Sequence, residues 1–233
     1  MSTLSNFPIT KKWPPKDPTI IQLYSLTTPN GVKISIALEE MGLPYEAHTV
    51  SFGTNDQMTP EFLSLNPNNK IPAIIDPNGP NGKPLPLFES GAILLYLAEK
   101  TGKFIPTDPS QRYECIQWML FQIGGVGPMF GQFGHFYKYA ADKVNDPYPQ
   151  ERYLNESKRL LNVLNQRLEG RTYIMGNDYT IADIAIFPWV NALDASYGAA
   201  DLIGLNDYPN VTAYLARCMA RPAVGKGMVN PPR

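Results

Sequence analysis

Between Ile20 and Gly102 the apolar residues switch repeatedly between the period of a strand and the period of a helix, and beyond Ser110 they keep to the helical period alone. This switch constrains the fold more than any other feature. Alternating elements pack as a layered α/β domain, whereas an unbroken run of helices packs as a bundle. Ile20 to Leu26 reads as a short apolar strand; Val32, Ile34, Ala37, Leu38 and Met41 then recur at helical spacing until Gly42 ends the helix. Tyr45 to Val50 reads as a second strand, Thr59-Pro60 opens a short helix with proline at its first position, and Ile71 to Ile75 reads as a third strand. Asn78-Gly79 and Asn81-Gly82 mark a hairpin turn into Leu85 to Phe88, and Ser90 opens a helix with Ile93, Leu94 and Leu97 on its apolar face. The order βαβαββα predicts a small α/β domain over residues 19–103 and an all-helical domain over 104–233. Residues 1–18 carry Pro8, Pro14, Pro15 and Pro18 among polar neighbours and read as an extended N-terminal arm.

In the helical half, Gln150 to Glu169 is the clearest amphipathic segment, with Leu154, Leu161, Leu164 and Leu168 on one side and Gly170 just beyond its end. Thr180 and Asp183 form a capping-box variant at the start of "TIADIAIFPW", which makes Asp183 a fold-forming residue. The stretch Gln122 to Phe136 mixes aromatic residues with Gly124, Gly125, Gly127, Gly131 and Gly134. Each glycine costs roughly 1 kcal/mol relative to alanine inside a helix, a cost that close backbone approach would justify.

Composition narrows the function. The chain is 43% hydrophobic over 233 residues, and 20 basic against 21 acidic residues leave a net charge of −1, which argues against nucleic acid or an anionic membrane as the partner and favours a small molecule. Cys115 and Cys218 are too few and too far apart for a disulfide framework or a CxxC pair, and read as reduced, buried thiols. His48 and His135 have no partner at ligand spacing, so no metal is expected. No apolar run approaches membrane-spanning length and no secretory pattern opens the chain, so cytoplasm is the expected location.

Several stretches together resemble the cytosolic glutathione S-transferase family: "LYSLTTPNGVKISIALEEMGLPYE", "FLSLNPNNKIPAI", "LFESGAILLYLAE" and "YTIADIAIFPWV". The likeness spans about residues 20 to 225, and "TPNG", "NPNNKIPAI", "GQFGHF" and "ERY" are similar to the nu class, the bacterial group related to disulfide-bond oxidoreductases. The resemblance implies a thioredoxin-like domain followed by an α-helical bundle, a homodimer, and one or two glutathione molecules per subunit.

Glutathione carries two carboxylates, an ammonium and a thiol, and the resemblance assigns a partner to each. Ile71-Pro72 would be the family's cis-proline, whose preceding residue offers its N–H and C=O to the cysteinyl unit; a plain strand start is the other reading. Ser90 would donate to the γ-glutamyl carboxylate at a helix N-terminus while Glu89 balances the ammonium, although Ser90 also suits a plain N-cap. Lys70 and Gln57 would pair with the glycyl end, each being otherwise an exposed loop residue. At the first turn, where thioredoxin-like redox proteins place a cysteine, this chain has Thr28 and Asn30. Neither attacks at pH 7, but a hydroxyl and a carboxamide can donate to a sulfur anion, so the sulfur belongs to glutathione. A helix-start turn is the alternative for Thr28-Pro29-Asn30-Gly31, and Tyr24 is a rival catalyst that reads better as core. From the helical half, Phe133, His135, Tyr137 and Arg152 are candidates for a second glutathione or the substrate. A solvated charge is the competing reading for Arg152, and a structural role for His135.

The implied activity is glutathione-dependent disulfide reduction, with peroxide reduction and weak conjugation at its side. A conventional conjugating transferase and a non-enzymatic binding or regulatory module are the alternatives.

Overall fold

The computed structural model describes residues 4–232, which divide into two units. The first unit contains β1 (Ile21–Ser25), α1 (Gly31–Met41), β2 (Tyr45–Thr49), α2 (Pro60–Leu63), β3 (Ala73–Asp76), β4 (Leu85–Phe88) and α3 (Ser90–Thr101). The strands form one sheet in the order β2-β1-β3-β4. β1 and β2 run parallel, with Ile21 opposite Tyr45, while β3 is antiparallel to both β1 and β4. A parallel pair needs a crossover, which α1 supplies. β1 and β3 are buried along their whole length, the polar Gln22, Ser25 and Asp76 included. This is a thioredoxin-like arrangement, and its sheet centre presents the turns that lead into α1 and β3.

α1 is buried from Gly31 to Leu38, and Gly42 closes it in the left-handed conformation at φ 70°. One cover is a short helix, Pro222–Gly227, which belongs to this unit although the sequence reading gave residues 104–233 to the helical domain. A Cβ on Gly227 would lie 2.6 Å from the Ile36 backbone, so the helices meet main chain to main chain, and Ser35 Oγ donates to the Gly227 carbonyl at 2.7 Å.

The arm departs from its expected form. Leu4–Asn6 and Pro8–Lys11 make short 3₁₀ turns, and Ile9 is fully buried in a cluster with Leu4, Tyr24, Val50, Phe62, Leu65, Ile71, Ala73 and Ile75. Proline excludes the interior of a long helix but suits the first position of such a turn, where Pro8 sits. Lys12 pairs with Asp56 at 2.9 Å, and Trp13 Nε1 donates to the Thr49 carbonyl at 3.1 Å.

The second unit, Gly102–Arg221, contains α4 (Pro109–Phe121), α5 (Gly127–Gly134), α6 (Tyr148–Arg167), α7 (Ile181–Ala195), α8 (Ala200–Ile203) and α9 (Pro209–Met219). α7 is its core, buried from Ile181 to Val190. Asp183 closes the capping box by accepting from the Thr180 N–H at 2.8 Å and also accepts from the Ile174 N–H at 2.8 Å. Single π-helical turns, Gln122–Val126 and His135–Tyr139, flank α5. The glycines there admit aromatic rings: a Cβ on Gly134 would lie 2.3 Å from the Tyr197 ring.

Candidate active site

The turn between β1 and α1 is built by local chemistry. Thr28 Oγ1 accepts from the Gly31 N–H at 3.2 Å and the Thr28 carbonyl accepts from the Val32 N–H at 3.0 Å, so the threonine starts the helix. Gly31 is required, since a Cβ there would sit 1.9 Å from the Leu26 carbonyl oxygen. Asn30 immediately precedes α1, beside the positive end of the helix dipole.

Across the sheet, Asn66 fastens the loop that leads into β3. It is almost fully buried, its Oδ1 accepts from the Asn68 N–H at 2.9 Å and its Nδ2 donates to the Lys70 carbonyl. That loop delivers Lys70 and Ile71, and the Ile71–Pro72 bond is cis. At the end of β4, Glu89 takes a left-handed φ of 72°, a conformation costing a non-glycine residue of order 1–3 kcal/mol and one that gathers at binding sites. Its carbonyl accepts from the Ile93 N–H at 3.0 Å, which sets Ser90 as the first residue of α3.

Asn30, Asn66, Asn68, Lys70, Ile71, Pro72, Glu89 and Ser90 together line a cavity of about 260 Å³. Six of the eight sequence-predicted residues of this unit therefore meet in one place: Asn30, Lys70, Ile71, Pro72, Glu89 and Ser90. Thr28 and Gln57 do not line it. Thr28 Oγ1 accepts from Gly31 at the helix start, which leaves its hydroxyl proton unassigned, and Gln57 sits in the separate turn Asp56–Met58, its Oε1 buried without a hydrogen-bond partner. Tyr24 is core, as read from the sequence, fully buried and stacked on His48 with ring centroids 4.8 Å apart, and burial pushes its hydroxyl up.

Sequence reasoning missed Asn66 and Asn68, although the turn chemistry of "NPNN" signals a fastened loop. It also missed Lys33, which has no exposed surface and whose Nζ lies 3.4 Å from Ser90 Oγ. Burial brings Lys33 down to about 7, against the opposing pull of the Glu89 carboxylate.

In the helical unit, Phe133 is fully buried and stacks on Tyr137 with centroids 5.3 Å apart, so it backs that ring. His135 is exposed and meets Phe136 edge to face at 5.1 Å, and Arg152 is exposed on α6. His135 and Tyr137 share the π-helical turn His135–Tyr139. A larger cavity, about 560 Å³, is lined by Phe104, Pro106, Asp108, Gln111, Tyr179 and Thr180 among others, and none of the predicted site residues borders it. Among the described residues no group of three His, Cys, Asp or Glu side chains has metal-holding spacing. Both cysteines are buried, which raises both thiols.

Residues 20–99 match the family model "Glutathione S-transferase, N-terminal domain", and residues 126–222 match "Glutathione S-transferase, C-terminal domain". The chain belongs to the glutathione S-transferase family. Among curated relatives, the disulfide-bond oxidoreductase YfcG of Escherichia coli (strain K12) is 47% identical over 211 residues, covering 90% of this chain and 95% of the relative. A glutathione transferase of Burkholderia graminis, crystallised with two glutathione molecules per subunit, is 65% identical with a TM-score of 0.98 over 100% of this chain and 97% of that one. A glutathione transferase of Pseudomonas putida, crystallised with one glutathione disulfide per subunit, is 59% identical with a TM-score of 0.97, covering 99% and 100% of the two chains. In this transferase the 260 Å³ cavity joins one lysine and one glutamate to a helix N-terminus. A zwitterionic peptide with two carboxylates requires such a set.

Proposed function

We propose that the chain is a glutathione-dependent disulfide reductase of the transferase family, with conjugation and peroxide reduction as lesser activities. One observation carries the reading: Asn30, Lys70 and the Glu89-Ser90 pair, from three separate segments, border one small cavity in which Glu89 can meet the ligand ammonium and Ser90 and Lys70 its two carboxylates. Glutathione held there supplies the thiolate that attacks a substrate disulfide, forming a mixed disulfide and expelling one half as a thiol; a second glutathione thiolate then attacks the glutathione sulfur of that mixed disulfide, which releases the other half as a thiol and forms glutathione disulfide. Asn30, beside the N-terminus of α1, donates to the ligand sulfur and favours its anion. One to two pH units of depression from a free thiol's ~8.5 would raise the thiolate fraction at pH 7 from a few per cent to about a quarter or three quarters. Buried Cys115 and Cys218 stay outside the cycle.

His135, Tyr137 and Arg152 are assigned to the substrate or a second glutathione on chemical grounds, the guanidinium being suited to a carboxylate. A homodimer and a cytoplasmic location complete the proposal. Among the described residues no helix is long and apolar enough to cross a membrane. The test is a comparison of kcat/KM for a small disulfide and for a halogenated nitrobenzene, each with glutathione as co-substrate. Higher efficiency with the disulfide supports the reductase, higher efficiency with the aryl halide makes the chain a conjugating transferase, and neither reaction despite glutathione binding makes it a binding module.

A further inference from the structure

Lysine is among the residues least often buried, yet Lys33 sits inside α1 with no exposed surface, among buried Val32, Ile34, Ser35 and Ile36. An apolar side chain of the same length would fill that space without the cost of desolvating an ammonium. One of its contacts is with the first residue of α3: its Nζ donates to Ser90 Oγ at 3.4 Å. Lys33 does not line the cavity, and Ser90, only 6% exposed, does.

We propose that Lys33 is a positioning residue of the ligand site, fixing the Ser90 hydroxyl as a hydrogen-bond donor into the cavity and thereby selecting an ionised carboxylate at that point. The proposal rests on the glutathione reading above and deepens it. An ammonium has three donors and no acceptor, whereas a hydroxyl has one donor and two acceptor lone pairs. The Lys33 bond therefore consumes an acceptor position on Ser90 and leaves the hydroxyl proton for another partner. A carboxylate accepts only, so it is the partner such a hydroxyl suits, and an amide N–H or ammonium is not. The lysine charge acts in the same direction, because a buried cation strengthens any anion bound nearby in a low-dielectric setting. Glu89, on the opposite side of the sequence pair, offers the negative charge for the ligand ammonium.

The test compares two ligands by calorimetry: S-methylglutathione, which has no titrating thiol, and the same compound with its γ-glutamyl unit replaced by 4-aminobutyryl, which lacks the α-carboxylate. Lys33→Met should weaken S-methylglutathione about ten-fold, ~1.4 kcal/mol, and leave the decarboxy ligand within two-fold. Equal effects on both ligands, including none on either, overturn the proposal. Ser90→Ala separates the two layers of the argument. If it changes neither affinity, the placement of Ser90 against the carboxylate in the glutathione reading fails, and the role of Lys33 with it; if it erases the carboxylate preference while Lys33→Met retains it, only the role of Lys33 fails. A second measurement needs no variant. By reciprocity a carboxylate that gains from Lys33 must favour the charged lysine, so in protein labelled with ¹³C at lysine Cε the Lys33 resonance should titrate at higher pH with S-methylglutathione bound than with the decarboxy ligand. Identical midpoints overturn the proposal.

Discussion

Replacing Lys33 by methionine should make the protein more stable at pH 6, with an advantage that depends on pH. The Lys33 side chain is fully buried, and desolvation lowers its pKa from a lysine's ordinary 10.5 to about 7 even though Glu89 pulls the other way. Each pH unit between those values is worth ~1.4 kcal/mol, so keeping the lysine charged in that place costs at most roughly 5 kcal/mol. Exchanging a buried charge for an apolar side chain of similar volume commonly gains ~1–4 kcal/mol, and the lost bond to Ser90 offsets part of it. We expect a gain of ~1–3 kcal/mol at pH 6. The sign with pH follows from proton counting. Between about 7 and 10.5 the unfolded chain holds more protons on this lysine than the folded one, so wild-type stability rises through that window by up to roughly 5 kcal/mol and the advantage of the variant shrinks through zero and reverses. Urea unfolding of both proteins at pH 6, 8 and 10, read as midpoints with matching slopes, gives the comparison. A variant less stable than wild type at pH 6, or a difference that does not change with pH, would refute the reasoning that burial of charge dominates at this position.

Glu89→Ala should weaken glutathione binding by ~2–5 kcal/mol, as truncating one member of a partly buried charge pair does; unchanged calorimetric affinity would remove Glu89 from the site. Asn30→Ala should raise the pKa of bound glutathione, followed by thiolate absorbance, more than it raises the dissociation constant. Thr28→Ala should move that pKa less and instead cost ~1 kcal/mol of stability through the lost helix start; the reverse order would reinstate Thr28 as the donor to sulfur. Asp183→Ala should destabilise the helical unit by ~2–3 kcal/mol in chemical unfolding, because the N–H groups of Ile174 and Thr180 lose a buried acceptor, and it should leave glutathione affinity unchanged.

The alternation of periods made the order βαβαββα legible, since each element of the first unit carries its own apolar pattern and its own turn residues, Gly42, Thr59-Pro60 and Ser90 among them. That Asn30, Lys70, Ile71, Pro72, Glu89 and Ser90 border one cavity was legible because each sits at or near an element terminus with recognisable chemistry. What failed depended on contacts distant in sequence. The arm looks polar and proline-broken, yet Leu4 and Ile9 anchor it on Tyr24, Phe62 and Ile71. Lys33 looks like a solvated helix residue until α3 brings Ser90 against it. Pro222–Gly227 follows a run of helices without a break, and only the fit of Gly227 against Ile36 shows that it serves the first unit. Thr28 Oγ1 begins α1 as the helix-start alternative expects, and that bond leaves the hydroxyl proton available to a ligand sulfur.

The central claim is that the attacking sulfur comes from the ligand and never from the protein. Cys115 and Cys218 are fully buried, neither borders the cavity, and burial raises both thiols. The most direct measurement is glutathione-dependent reduction of a small disulfide by the Cys115→Ser, Cys218→Ser double variant, alongside its glutathione affinity and unfolding midpoint. Turnover within a few-fold of wild type, with any deficit following stability, is the expected result. A double variant that folds and binds glutathione but no longer reduces the disulfide would place a protein cysteine in the cycle and contradict the account.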